Sequence, residues 1–364
     1  MLNTKKILHI SPDFNYSCGV SKYVFSILKH YSRNESYRLF FITNGGDALD
    51  KLKDIGVTPF LLNFSRGWKN IFNILSNLNT LKNYCLRNNI DIIHTYHRYP
   101  EYLAYLVSKE MKVKTISTVL SLVEGKNKLS YKSDKLIAVS RTVEKMLKEK
   151  YNVPSNKIIM SYNCIEPSEV DYVEDKGDLK NKLEIPLNFK IILFLGRIAT
   201  IKGIDILLDA FKILQDQTNN FFLLIVGQIY DKHFKYTLNN LPSNIKLVAP
   251  VRNPYPFYSI ADVIVLPSRK EPFPYVMLES GLVKKPFVGA NTGGIAEFID
   301  DRINGLLFDP GNAWQLAEKI RFVLSYPEEA KLLGENLYLK VMENISCKQY
   351  YRKLDQIYND IRQI

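Results

Sequence analysis

The chain has 364 residues, a formal net charge of +12, and 46% hydrophobic against 24% charged residues. That length holds two domains of ordinary size, and the balance is that of a soluble globular protein with no run near the ~18 apolar residues of a membrane span. Four scattered cysteines (Cys18, Cys85, Cys164, Cys347) form no CxxC pair, which argues against zinc and a disulfide framework and for a reducing cytosol.

The opening MLNTKKILHIS lacks the apolar run and cleavage site of a signal peptide and enters a strand, 6–11. A helix follows at 19–31, strands at 37–43 and 57–62, and a long amphipathic helix at 68–87. Trp68, Ile71, Phe72, Leu75 and Leu78 share one face of that helix, a stripe that suits the core and, less often, a membrane surface. Next come strand 90–94, helix 99–108, strands 113–120 and 135–139, and helix 141–150. The acidic, proline-bounded stretch 166–186 reads as a connection. The alternation then restarts with strand 191–195, helix 203–215, strands 221–226 and 245–248, helix 254–260 and strand 263–266. Strand 286–289, a Gly-Gly turn at Gly293–Gly294, a short strand 305–308 and three helices close the chain. Strand–helix alternation of this kind implies βαβ units and parallel sheets. The expected architecture is α/β, two doubly wound Rossmann-like domains facing each other across a cleft. The first spans 1–167, a linker 168–188 and the second domain 189–346, with the last helix, 347–364, packing back onto the first.

The charge is uneven. Residues 1–170 hold 25 Lys/Arg against 14 Asp/Glu, whereas 171–364 hold 24 against 23. The excess suits an anionic partner for the first half, a membrane surface or a phosphorylated substrate. Dispersed lysines without a recognition helix, zinc finger or RNA-binding strand signature argue against nucleic acid.

The chemistry concentrates in PSRKEPFPYVMLE, 267–279. Glu271 sits in the loop after a buried strand and Glu279 in the first turns of the next helix. Ligands of open α/β sheets bind at such strand ends, where two acids can grip two parts of one polyol; isolated, such a pair is more often solvated. In LGRIATIKG, Arg197 and Lys202 leave a strand end toward a helix N-terminus, a setting that suits a diphosphate. Gly19 opens the first helix and permits close backbone approach to a phosphate or sugar. TGGIAEF offers backbone donors at Gly293 and Gly294. His94 and His97 end the strand DIIH, where an imidazole can bond a substrate or shuttle a proton. No metal-ligand spacing surrounds them.

Together these stretches resemble the family-4 glycosyltransferases, retaining enzymes with the GT-B fold. The likeness is carried by LGRIATIKGID, VGQ, SIADVIVLPSRKEPFPYVMLES, TGGIAEFI and NGLLFDPGN in that order. By that resemblance Glu271 lies beside the donor sugar, and Arg197 and Lys202 hold and stabilise the leaving diphosphate. Glu279 binds the ribose hydroxyls. Gly19, Phe273, Gly293 and Gly294 complete the donor site. The resemblance implies a nucleotide-sugar substrate, a glycan or lipid-linked acceptor, and neither cofactor nor metal. It also implies cytoplasmic work at the inner face of the membrane, in surface polysaccharide or lipopolysaccharide assembly. Cys18-Gly19 replaces the usual paired glycine, and Pro274, which has no N–H, stands where glycine is common. VGQIYD lacks a second glycine. Thr118-Val119-Leu120 carries no histidine where many members have one, leaving His94 or His97 as substitutes. A non-catalytic sugar-binding subunit and a nucleotide-sugar epimerase are the alternatives.

Overall fold

Strands of six apolar residues such as FFLLIV bury both faces, which only a parallel sheet covered by helices on each side allows. The computed structural model describes residues 4–64, 69–123, 125, 129–170, 176–215, 220–235 and 241–361. The chain divides into two compact units, residues 1–162 with 348–364, and residues 163–347. Each unit has its own sheet, and every strand pair recorded is parallel.

In the first unit, β1 (Lys5–Ile10), β2 (Tyr37–Thr43), β3 (Pro59–Leu61), β4 (Ile92–Thr95), β5 (Lys114–Val119), β6 (Lys135–Ala138) and β7 (Ile158–Met160) lie in the order β3-β2-β1-β4-β5-β6-β7. In the second, β8 (Lys190–Leu195), β9 (Phe221–Val226), β10 (Ile245–Val248), β11 (Val263–Leu266), β12 (Phe287–Ala290) and β13 (Leu306–Phe308) lie in the order β10-β9-β8-β11-β12-β13. Both orders reverse once, between β1 and β4 and between β8 and β11. The crevice at such a switch point, outside the carboxyl ends of the strands, is where doubly wound sheets bind ligands.

The first core gathers Leu8, Ile10, Ile42, Ile93 and Leu103 around Leu78, Leu81 and Cys85 of the helix Lys69–Asn88. That helix therefore turns its Leu78–Leu81–Cys85 face inward at helical spacing. Leu75, expected on the same face as Leu78, is 74% exposed. Trp68 and the side chains of Ile71 and Phe72 lie outside the described residues. The C-terminal helix Cys347–Asp360 belongs mostly to the first unit. Its Tyr350 bonds Tyr23, and Asp355 accepts from Tyr31 at 3.0 Å and Tyr37 at 2.7 Å. Within the stretch expected as a connection, Lys176–Lys182 is helical and Leu179 is buried. Gly293 and Gly294 open a short helix, Gly293–Phe298, rather than a bare turn.

Candidate active site

The second sheet brings its site residues to one edge. Arg197 and Lys202 follow β8; Glu271 and Glu279 follow β11; β8 and β11 are neighbours at the switch point. A local fit of backbones makes the approach close. Gly203 has φ +70°, and a Cβ there would stand 2.0 Å from the Pro267 carbonyl oxygen, so only glycine lets the loop after β8 lie against the loop after β11. Gly294 packs as tightly, its notional Cβ 2.1 Å from the Pro272 oxygen, and its N–H donates to the Glu271 carbonyl at 2.9 Å.

Lys202 and Glu271 meet inside this junction. The Lys202 ammonium donates to Glu271 Oε2 at 2.5 Å, and the Ser268 hydroxyl donates to the same oxygen at 2.9 Å. The Glu271 side chain is 5% exposed and that of Lys202 18%. The pair is thus a mostly dry charge pair whose ammonium has further N–H donors to offer an anion. Arg269 clamps the surrounding loops. It bonds both oxygens of Asp205 at 2.7 and 2.6 Å and the Thr200 carbonyl at 2.7 Å. The Arg269 hydrogen bond holds the Asp205 carboxyl below its usual range. Asp231 accepts from the Thr200 N–H at 2.7 Å and its hydroxyl at 2.9 Å, and the backbone N–H, ahead of other causes, lowers its carboxyl. Arg197 stands on the same loop with its guanidinium 5.3 Å from the Tyr230 ring centre.

Glu279 lies in the helix Tyr275–Leu282, 5% exposed, and accepts a hydrogen bond from the Tyr258 hydroxyl. Burial first, then the Glu279 charge, pushes the Tyr258 phenol well up, so Tyr258 remains a donor. Pro274 caps that helix without an N–H to give. Phe273 is buried, its ring edge-on to Phe298 and its carbonyl held by the Asn163 side-chain amide at 2.9 Å.

Gly19, His94 and His97 belong to the first unit. Gly19 is exposed at the start of a 13-residue helix with no side-chain cap at Cys18 and no acid in its first turn, an end favourable to anions. His94 is a correction to the expectation from sequence. It is fully buried, with Nδ1 at 2.8 Å from the Tyr358 hydroxyl and Nε2 at 2.8 Å from the Thr118 hydroxyl. Both ring nitrogens are engaged inside the core, which leaves none to shuttle a substrate proton. His97 is partly exposed and precedes the helix Arg98–Glu110.

Sequence reasoning passed over Ser268, Arg269, Asp205, Tyr258 and Asn163. Ser268 and Arg269 stand inside the singled-out stretch, and their charge and hydroxyl beside Glu271 were the available signal. Asp205 has none, because its partner is 64 positions away.

Comparison with known proteins agrees with this layout. Residues 18–169 match the model of Glycosyltransferase Family 4, and residues 175–340 that of Glycosyl transferases group 1. An uncharacterised glycosyltransferase of Methanocaldococcus jannaschii is 28% identical over 349 residues, covering 91% of this chain and 92% of that protein. The Campylobacter jejuni N,N'-diacetylbacillosaminyl-diphospho-undecaprenol alpha-1,3-N-acetylgalactosaminyltransferase is 23% identical over 366 residues, covering 89% and 92%. The structure of Anabaena HepE in complex with UDP-glucose superposes with a TM-score of 0.85 at 16% identity, covering 98% of this chain and 99% of that one; at that identity the likeness speaks for the fold. Two family matches that together run through both units, and the paired switch-point sheets beneath them, make this chain a member of the family-4, group 1 glycosyltransferases with the GT-B fold.

Proposed function

We propose that the protein transfers a sugar, with retention, from a nucleotide-diphosphate sugar to a glycan or lipid-linked acceptor. The observation that carries this reading is the Lys202–Glu271 pair at the β8/β11 switch point, with Arg197 on the same loop. Two cations at a strand end meet the charge that grows on a departing diphosphate, an electrostatic stabilisation already in place before reaction. Lys202 and Arg197 then supply that stabilisation without a metal. Glu271, fixed by Lys202 and Ser268, stands beside the donor sugar, and Glu279, oriented by Tyr258, receives the ribose hydroxyls. Phe273, Gly293 and Gly294 complete the donor side. The bond from the anomeric carbon to the diphosphate breaks as the acceptor oxygen bonds the same face, and the acceptor proton leaves with the diphosphate. Gly19 approaches the donor phosphates or sugar, and His97 orients the acceptor hydroxyl, whose proton the diphosphate takes.

The relative from Campylobacter jejuni is named for a diphospho-undecaprenol acceptor, and the HepE structure holds UDP-glucose. The first supports a lipid-linked acceptor and the second a nucleotide-sugar donor; surface polysaccharide or lipopolysaccharide assembly at the inner face of the membrane is the setting we propose. Among the described residues no helix is long and apolar enough to cross a membrane. Incubating the protein with UDP-, GDP- and ADP-sugars and measuring released nucleotide tests the reading. Slow hydrolysis of one donor, abolished by Glu271→Ala, is the expected result. Silence across the panel, repeated with membrane extracts as acceptor, would instead support a sugar-binding subunit.

A further inference from the structure

The amino-end edge of the first sheet is strongly charged. At the amino ends of β4, β5, β6 and β7, opposite the edge that carries Gly19 and His97, lies an open cavity of about 850 Å³. Lys109, Lys112, Lys114, Lys132 and Lys157 line it together with Asp91 and Asp134. The two carboxylates are already engaged by backbone: Asp91 accepts from the Lys6 N–H at 2.8 Å, and Asp134 from the Thr115 N–H at 2.8 Å and its hydroxyl at 2.9 Å. Among the described residues, Lys112, Lys114, Lys132 and Lys157 form no ion pair and donate no side-chain hydrogen bond. Lys109 lies 5.0 Å from the Tyr105 ring centre. The lining therefore holds five cations against two anions in one concavity, and part of the excess charge of residues 1–170 collects here.

The backbone at Lys132 is held by a buried acid. Glu101, fully buried, accepts the N–H groups of Tyr131 at 2.9 Å, Lys132 at 2.6 Å and Ser133 at 2.8 Å. One carboxylate thus fixes the loop from which Lys132 reaches the cavity. Like charges gathered in excess of their counter-charge repel one another, and an anion bound among them relieves that repulsion. Lysine recognises charge density rather than the planar fork that arginine matches. Phosphate, at about −1.5 to −2 per monoester near neutral pH, supplies that density within a small volume.

We propose that this cavity is a binding site for a phosphate-bearing anion, separate from the donor and acceptor sites. It lies at the amino ends of the strands, whereas the transfer chemistry of a doubly wound sheet belongs to the carboxyl ends. The shared chemistry is a clustered phosphate, either a soluble diphosphate or a lipid headgroup.

The test is calorimetric titration of inorganic pyrophosphate into the full chain carrying Arg197→Ala and Lys202→Ala, which silences the donor site. It is paired with co-sedimentation on phosphatidylglycerol and on phosphatidylcholine vesicles. Adding Lys112→Glu and Lys132→Glu should weaken pyrophosphate binding at least tenfold if the anion is soluble. If it is a headgroup, the same change should abolish retention on phosphatidylglycerol vesicles while pyrophosphate is ignored throughout. In either case binding falls as salt rises, since exposed charges are screened. On the otherwise native chain, Lys112→Glu with Lys132→Glu leaves donor hydrolysis intact, which separates this site from the transfer site. Pyrophosphate and vesicle binding that are both absent, or both indifferent to the two substitutions in a chain with native circular dichroism, overturns the proposal. A milder pair, Lys114→Gln with Lys157→Gln, gives an intermediate loss if the cavity is the site.

Discussion

The Lys202–Glu271 pair makes a prediction that separates its structural from its catalytic worth. With Glu271→Ala, the Lys202 ammonium keeps its place in a junction where its side chain is only 18% exposed and loses its counter-charge. The gross attraction of two charges ~3 Å apart is about 5 kcal/mol at an effective dielectric constant near 20, before desolvation is subtracted. Breaking a fully buried pair from one side costs about 3–5 kcal/mol. Water reaches Lys202, so about 2 kcal/mol is the expected loss. For a unit of this size that lowers the melting midpoint by about 4–8 °C. The double variant Lys202→Ala with Glu271→Ala removes both charges, and it should recover at least half of that loss. Thermal melting of wild type, both single variants and the double variant gives the coupling, expected at about 1–2 kcal/mol. Strict additivity would refute the pairing. Released nucleotide, measured on the same four proteins, should fall at least ~10³-fold in all three variants, about 4 kcal/mol of barrier. A double variant that melts like wild type yet turns over nothing shows that the pair is kept for the reaction.

Three further outcomes are expected. Gly203→Ala puts a Cβ 2.0 Å from the Pro267 oxygen at φ +70°; it should destabilise the protein by more than about 2 kcal/mol and cut turnover, and a wild-type melting curve would contradict the close approach of the two loops. Tyr258→Phe removes a donor to the nearly buried Glu279 carboxylate; a charge-assisted bond of about 1–2 kcal/mol predicts a KM for the donor raised ~5–30-fold with kcat little changed, and an unmoved KM would remove Glu279 from donor binding. His9 is fully buried, and burial lowers its pKa from 6.5 to about 3. The unfolded chain therefore binds a proton that the folded one refuses between those values. The His9 contribution is whole above pH 6.5 and is lost as pH falls toward 3, by about 1.4 kcal/mol per pH unit. Urea unfolding of His9→Phe between pH 4 and 6 should show a slope shallower by that amount, and an unchanged slope would mean that His9 is protonated in the fold.

Why some of this was readable and some was not follows from the range over which each feature is set. Parallel strands covered on both faces announce themselves as apolar runs: FFLLIV became β9 and VIVL became β11, each at its expected bounds. β7, three half-buried residues at the edge of the sheet, has no such run and was missed. The helix Lys176–Lys182 hides in KGDLKNK, where one buried leucine gives no periodicity. Arg197, Lys202 and Glu271 were legible because each sits in the loop that follows its own strand, and Glu279 because it lies in the helix that this loop enters. Their partners were not, because Lys202 meets Glu271 across 69 positions and Arg269 meets Asp205 across 64. Those meetings depend on β8 and β11 being neighbours, a matter of strand order that no local pattern encodes. The same limit explains His94. A histidine at the carboxyl end of a strand belongs to the usual ligand edge, but Tyr358, 264 residues later, closes over it from the C-terminal helix. His97, three residues on, has left the strand and escapes that cover. Strand order thus decides which of the chemically eligible residues meet: it joins Lys202 to Glu271 at one switch point and seals His94 in the core.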